Sequence, residues 1–232
     1  MARSFGLVDH KLAEADFFLS KIPECGYEFF GVRCYVSAFV SSARSVTFAL
    51  QSVLGKEPGF DAWYADRRSR LRDDPIARFF HEFRRVNQHI GDNLVGGGGG
   101  GQNGPILHWF RPTADIPEVP EGDVETVCRS YMVVVTSLVY DCYVGFGPHI
   151  DAKQRYTDEY FSRIGKNIED AEEEIGLPRG WADIGDLASL PYRWQILRDG
   201  VTGCEVNHIF EKYLGKCTPF PERLPEYRPT TT

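Results

Sequence analysis

The chain has 232 residues, 42% of them hydrophobic, and a formal net charge of −7. That length suits one large domain or a domain with an appended subdomain, and the apolar content excludes wholesale disorder. The net negative charge excludes a molecule that binds polyanions over its whole surface, so any contact with nucleic acid has to use a local basic patch.

The N-terminal stretch MARSFGLVDHKLAEADFF lacks the long apolar core of a secretory signal. Residues 9–22 have helical composition, with Leu12, Ala15, Phe18 and Ile22 at spacings of three and four, and Pro23 and Gly26 punctuate the end. Residues 27–54 follow as one long segment with apolar residues on nearly all sides, which predicts a central helix packed against several neighbours. Arg33 and Arg44 interrupt it, and an arginine on a largely buried helix needs a carboxylate, a carbonyl or a phosphate. A snorkelling side chain or an internal ion pair is the plainer reading.

Residues 60–72 form a shorter amphipathic pattern, and Asp73, Asp74 and Pro75 then open the next helix with an acidic first turn and an early proline. On a helical wheel Ile76, Phe79, Phe80, Phe83, Val86 and Ile90 make one apolar stripe, with Asn87 inside it and Arg84 beside it. His89 lies five residues beyond Arg84, about 140° around an ideal helix. The two therefore share a face only if the helix bends or ends there, or if a second chain supplies one of them.

Six consecutive glycines occupy 96–101. Glycine loses the most backbone freedom on ordering, so 95–105 reads as a flexible loop. A phosphate-cradling reading lacks the Gly-Lys-Ser/Thr that normally follows. Residues 106–111 read as a short extended segment, and PTADIPEVPEGD as a proline-rich connection. Asp123 caps a helix running to about Phe146; its many β-branched residues leave a buried strand as the alternative, which its length disfavours. The apolar run from Tyr131 to Phe146 contains Thr136, Ser137 and Asp141, too short and too polar to span a membrane. Residues 151–175 predict another helix, with the acids of 169–174 on a solvated face. The remainder is rich in Gly and Pro, with one helical candidate at 201–214 and an extended tail.

Six cysteines occur without any C-x-x-C pair, several inside apolar runs, and read as reduced thiols of a cytoplasmic protein. His81-Glu82 opens like a zinc-protease motif, but Arg85 stands where the second histidine belongs, so no metal is expected. No nucleophile elbow and no dinucleotide fingerprint is present, and no cofactor is expected.

The chemistry candidates concentrate between Arg67 and Arg85. Seven arginines lie there (Arg67, Arg68, Arg70, Arg72, Arg78, Arg84 and Arg85), opposed by Asp73, Asp74 and Glu82. The planar guanidinium fork suits phosphate. A solvated helix face paired with the chain's own acids is the competing reading. His89 is the natural general acid–base, Arg84 would stabilise charge on a pentacoordinate phosphate, and Asn87, polar in an apolar stripe, must find a partner.

The order of long apolar helices, closed internally by Arg84-Arg85-Val86-Asn87-Gln88-His89, resembles the HEPN superfamily. Its signature is an arginine followed after four to six residues by histidine, often with a polar residue such as Asn just after the arginine. The small-residue texture of Ala38 to Leu50 adds to the likeness, which would cover roughly 8–165. One departure is that Arg85 stands where Asn is common, with Asn at 87. The resemblance implies an all-α bundle and a metal-independent endoribonuclease of toxin–antitoxin, phage-defence or RNA-processing type. Such enzymes work as dimers in which the Arg and His of two chains meet, with the RNA 2′-OH as nucleophile and a cyclic phosphate as product. Other members lack nuclease activity and serve as partners of nucleotidyltransferases or as binding modules.

The resulting expectation is a helical bundle over 8–165 with a less regular C-terminal extension over 166–232. A homodimer would cleave RNA with Arg84, His89 and Asn87 as site residues and Arg78 and Arg85 holding the strand, with an antitoxin or nucleotidyltransferase as a possible partner and no membrane. The alternatives are a non-catalytic module that binds a protein or a nucleotide, and a bundle that takes a small hydrophobic ligand among the aromatics of 27–64.

Overall fold

The computed structural model describes residues 4–100, 104–183, 185–186 and 189–225. The chain is mostly helical and divides into two compact units. Unit 1 comprises Met1–Val139 with His208–Lys216, and unit 2 comprises Tyr140–Asn207 with Cys217–Thr232. Residues 140–165 thus belong with the second unit and 208–216 with the first.

Unit 1 opens with α1 (Gly6–Lys21), a 3-10 turn at Pro23–Cys25, and α2 (Phe29–Leu54). The Glu28 carboxylate starts α2 by accepting from the Gly31 N–H. Val32, Val36, Phe39, Ala43, Val46 and Leu50 are buried along α2, at the three- and four-residue spacing that one helix face requires. α3 (Phe60–Asp73) and α4 (Pro75–His89) follow. Asp74 caps α4 by accepting from the Ala77 N–H at 2.8 Å, with Pro75 in the first turn. The predicted stripe is buried through Phe79, Phe80, Phe83 and Val86, each contributing about 1.5–3 kcal/mol by leaving water. Ile90, expected at its end, is exposed, because α4 stops at His89 and Gly91 turns the chain away at φ 82°.

The glycine run departs from the expected loop. Val95–Gly99 is a strand, β1, paired antiparallel to β2 (Leu107–Phe110), with Gly98 opposite His108 and an irregularity between Val95 and Gly98. Residues 101–103 lie outside the described residues. A Cβ on Gly98 would sit 2.6 Å from the His108 ring, so glycine is what lets the buried imidazole lie against the strand. His108 Nε2 donates to the Gly26 carbonyl at 2.9 Å.

Helix α5 (Val124–Gly145) settles the helix-or-strand ambiguity at 123–146 in favour of helix. It is long and apolar enough to cross a membrane by length and composition, yet 56% of its apolar window is buried. Within unit 1 its buried Val127, Tyr131, Val135 and Val139 make one core-facing stripe. Tyr131 stacks on Phe80 at 4.6 Å, and Phe39 meets Phe80 edge-on at 5.9 Å.

In unit 2 the single helix expected over 151–175 is broken. After α6 (Gly147–Ile150) come α7 (Ala152–Arg155), α8 (Asp158–Arg163) and α9 (Ile168–Glu174). Thr157 and Asn167 each cap a new helix with their side chains, Asn167 in a capping box with Asp170, and Gly165 turns the chain at φ 70°. α10 (Leu190–Asp199) was not foreseen from the sequence. Tyr156, Phe161, Ile168, Trp194 and Leu197 form a core of their own. The acids of 169–174 are a solvated face only in part: Glu173 and Glu174 are exposed, but Glu172 is not. Glu172 is fully buried, accepting from the Ala182 N–H at 2.8 Å and facing Arg193 at 3.4 Å, while Arg179 holds Asp170 and Glu173. α11 (Asn207–Leu214) returns to unit 1, where Lys212 and Tyr213 both reach Asp16 at 2.6 Å.

Candidate nucleic-acid interface

The seven arginines of 67–85 sort into two groups. Arg67 and Arg70 pair with Asp66 at 3.2 and 2.9 Å, and Arg85 pairs with Glu82 at 2.7 Å. Arg68, Arg72, Arg78 and Arg84 form no ion pair among the described residues. Three of the unpaired four, Arg68, Arg72 and Arg78, line one cavity of about 390 Å³. Arg44 of α2 joins them, and α5 closes the wall with Tyr131, Val135 and Leu138.

Local helix geometry produces this arrangement. Arg44 and Phe48 are four residues apart, as are Arg68 and Arg72, and Arg78 and His81 are three apart, so each pair shares a helix face. Phe48 is 51% exposed despite its place on a core helix. Arg44 and Arg84 both lie over its ring, at 5.5 and 5.8 Å from the centroid. The Arg84 side chain thereby reaches the cavity's aromatic wall.

Arg44 finds none of its expected carboxylate partners among the described residues. It approaches the Thr47 hydroxyl at 3.4 Å, its charge acts on the nearby Tyr131 hydroxyl, and its Nε is buried without a partner. Burial pushes the Tyr131 hydroxyl up to about 12, so it stays neutral and adds no negative charge to the wall. Arg33, the other interrupting arginine of α2, takes the Val95 carbonyl at 3.4 Å and stacks on Phe29 at 4.7 Å. Among the described residues Glu82 is the one carboxylate lining the cavity, and it is held by Arg85. Arg78 also borders a neighbouring depression that includes Glu118 and Glu121.

The predicted site residues fall in different places. α4 is one continuous helix from Pro75 to His89, so Arg84 and His89 point about 140° apart within a chain. His89 is exposed on the last residue of the helix. Asn87 is occupied: its Oδ1 accepts from Ser37 Oγ at 2.7 Å and its amide donates to the Asp92 carbonyl at 3.3 Å. It fastens the end of α4 to α2 and to the following turn. Arg78 lines the cavity, whereas Arg85 is tied to Glu82. Sequence reasoning had not singled out Phe48, Tyr64 or Tyr131; the periodic placement of Arg44 with Phe48 was the available signal. Among the described residues no group of three or more His, Cys, Asp or Glu is placed to hold a metal ion.

No curated protein and no solved structure matches the chain. Residues 6–93 match the family model described as Bacteriophage lambda protein ea47. That stretch takes in α1 to α4 with Arg84, Asn87 and His89, and leaves out α5 and unit 2, so the first four helices are similar to a phage protein family.

Proposed function

We propose that the chain binds RNA through unit 1 and cleaves it as a HEPN-like homodimer in the cytoplasm. The observation that carries this reading is the segregation of unpaired arginines: Arg68, Arg72 and Arg78 around one cavity, with Arg84 reaching its Phe48 wall. Exposed guanidiniums without carboxylate partners are free to take phosphate, and their fork geometry favours it. Arg84 of one chain would stabilise the phosphate, and His89 of the second chain would act as general acid–base. The 2′-oxygen would form a bond to phosphorus as the bond to the 5′-oxygen breaks. Imidazole would take the proton of the 2′-hydroxyl, and the imidazolium so formed, or solvent, would protonate the leaving 5′-oxygen, giving a cyclic phosphate. The likeness of residues 6–93 to a phage protein family fits a role in phage–host conflict.

The second reading is a non-catalytic module that binds a nucleotide, or a protein partner such as a nucleotidyltransferase. Its support is specific: Asn87 is engaged structurally, and Arg84 and His89 lie on different faces of one continuous helix. Incubating the full chain with single-stranded RNA in EDTA decides between them. Cleavage to cyclic-phosphate ends that Arg84→Ala and His89→Ala each abolish supports the nuclease; cleavage unchanged in His89→Ala, or none by the wild-type dimer, sinks it.

A further inference from the structure

The cavity of Arg44, Phe48, Arg68, Arg72 and Arg78 has properties that a strand merely crossing a surface does not need. Four helices bound it, and its volume of about 390 Å³ lies at the small end of ligand pockets, enough for one nucleotide rather than a run of them. Its charge also exceeds what one backbone linkage supplies. Among the described residues four guanidiniums line it without an ion-pair partner, and Glu82, the sole carboxylate that lines it, is already held by Arg85. An internal phosphodiester carries a single negative charge, whereas a terminal phosphate carries about −1.5 to −2 and offers three oxygens to fork-shaped donors. Phe48 is half-exposed with the planar Arg44 and Arg84 guanidiniums over its ring, so a base can pack against the exposed part of the ring or stack on those guanidiniums.

We propose that this cavity binds a nucleotide bearing a terminal phosphate, with the phosphate on Arg68, Arg72 and Arg78 and the base against Phe48. The inference rests on the RNA-binding reading in so far as the nucleotide is a strand's 5′ end; a free nucleotide presents the same chemistry.

The test uses the full chain in EDTA. Fluorescence anisotropy compares a short single-stranded RNA, labelled at its 3′ end, carrying either a 5′-phosphate or a 5′-hydroxyl. AMP and adenosine serve as competitors. The expected result is that the phosphorylated strand binds at least ~10-fold more tightly, which corresponds to about 1.4 kcal/mol. AMP competes and adenosine does not. In the double variant Arg68→Ala/Arg72→Ala the ratio between the two strands falls towards one; both side chains are exposed, and circular dichroism verifies the fold. Equal binding of the two strands, with no competition by AMP, overturns this inference and leaves the RNA reading standing. Binding of AMP without binding of either strand upholds the inference as a free-nucleotide site and removes the RNA reading. Binding of none of these probes overturns both.

Discussion

Ser37 Oγ donates a 2.7 Å hydrogen bond to Asn87 Oδ1, crossing from the middle of α2 to the last turns of α4. Because Asn87 also holds the Asp92 carbonyl, one amide joins two helices and a turn. Asn87→Ala should therefore lower stability by ~1–2 kcal/mol, the cost of two hydrogen bonds partly replaced by water. Ser37→Ala should cost less, and the double variant should cost less than the sum of the two. Thermal unfolding of the four proteins checks this; strict additivity would mean that the bond contributes nothing.

Gly98 and Gly97 are adjacent and should respond differently to alanine. At Gly98 the new methyl meets the His108 ring at 2.6 Å, and that ring is buried and hydrogen-bonded to Gly26. At Gly97 a Cβ meets nothing within 4 Å. Gly98→Ala should destabilise by ~1–3 kcal/mol, in the range of overpacked sites, and Gly97→Ala should be near neutral. Melting temperatures that move together for the two variants would contradict the observed packing.

Unit 2 depends on a buried charge pair. Glu172 is fully buried and Arg193 nearly so, with Nη2 to Oε1 at 3.4 Å. Arg193→Ala leaves the carboxylate with its backbone donors but no counter-charge, and should cost ~3–5 kcal/mol. Replacing both residues by neutral ones of similar size, Arg193→Met with Glu172→Gln, should recover part of that loss. Denaturant unfolding followed by tryptophan fluorescence measures it, since Trp194 sits in the same core.

The acid side of the stability profile should carry a signature of Glu174. Burial acts to raise its carboxyl, but the hydrogen bonds from Arg155 at 2.8 and 3.1 Å, with that residue's charge, hold it below its ordinary value. A carboxyl lowered in the folded state stabilises fully above its unfolded value, and that contribution is lost as pH falls through the folded value. Stability should therefore drop on acidification below about pH 5, and Glu174→Gln should flatten that part of the curve. A pH series of melting temperatures for the two proteins checks it.

If RNA binds at the arginine cavity, its affinity should fall with salt. At most five arginines engage, the four that line the cavity and Arg84 at its Phe48 wall, so the slope of log K against log salt should be no steeper than about −3.5 for a single strand. Arg78→Ala should reduce the slope by ~0.7, while Arg85→Ala, which removes a guanidinium already paired with Glu82, should change it less. Equal effects of the two variants would mean that the ion pair opens on binding.

Much of unit 1 is legible in the sequence because its helices have strong periodic signals. The stripe of α4 and its Asp74-Pro75 start read directly as a capped amphipathic helix, and α2 reads as a central one. The hairpin was not legible, because six glycines carry no alternating pattern and the constraint that orders them, the His108 ring, lies on the partner strand. The helical composition of 151–175 hid its breaks, since Thr157 and Asn167 act through capping bonds that a periodicity count does not weigh. At the candidate site the arginines are visible in the sequence, but not which of them are paired. That depends on Asp66 and Glu82 choosing near neighbours along their own helices.

The contrast between the cavity and the whole chain also bears on how a polyanion arrives. The chain carries −7 overall while four unpaired arginines line one cavity. Beyond about 8 Å at physiological ionic strength the field of any one patch is largely screened, and an approaching strand receives no strong long-range pull from so small a cluster. Encounter is then an undirected search that succeeds only when a strand end meets the cavity at close range. Such an association should be slow for a nucleic-acid complex, with selectivity expressed in how long the captured end remains.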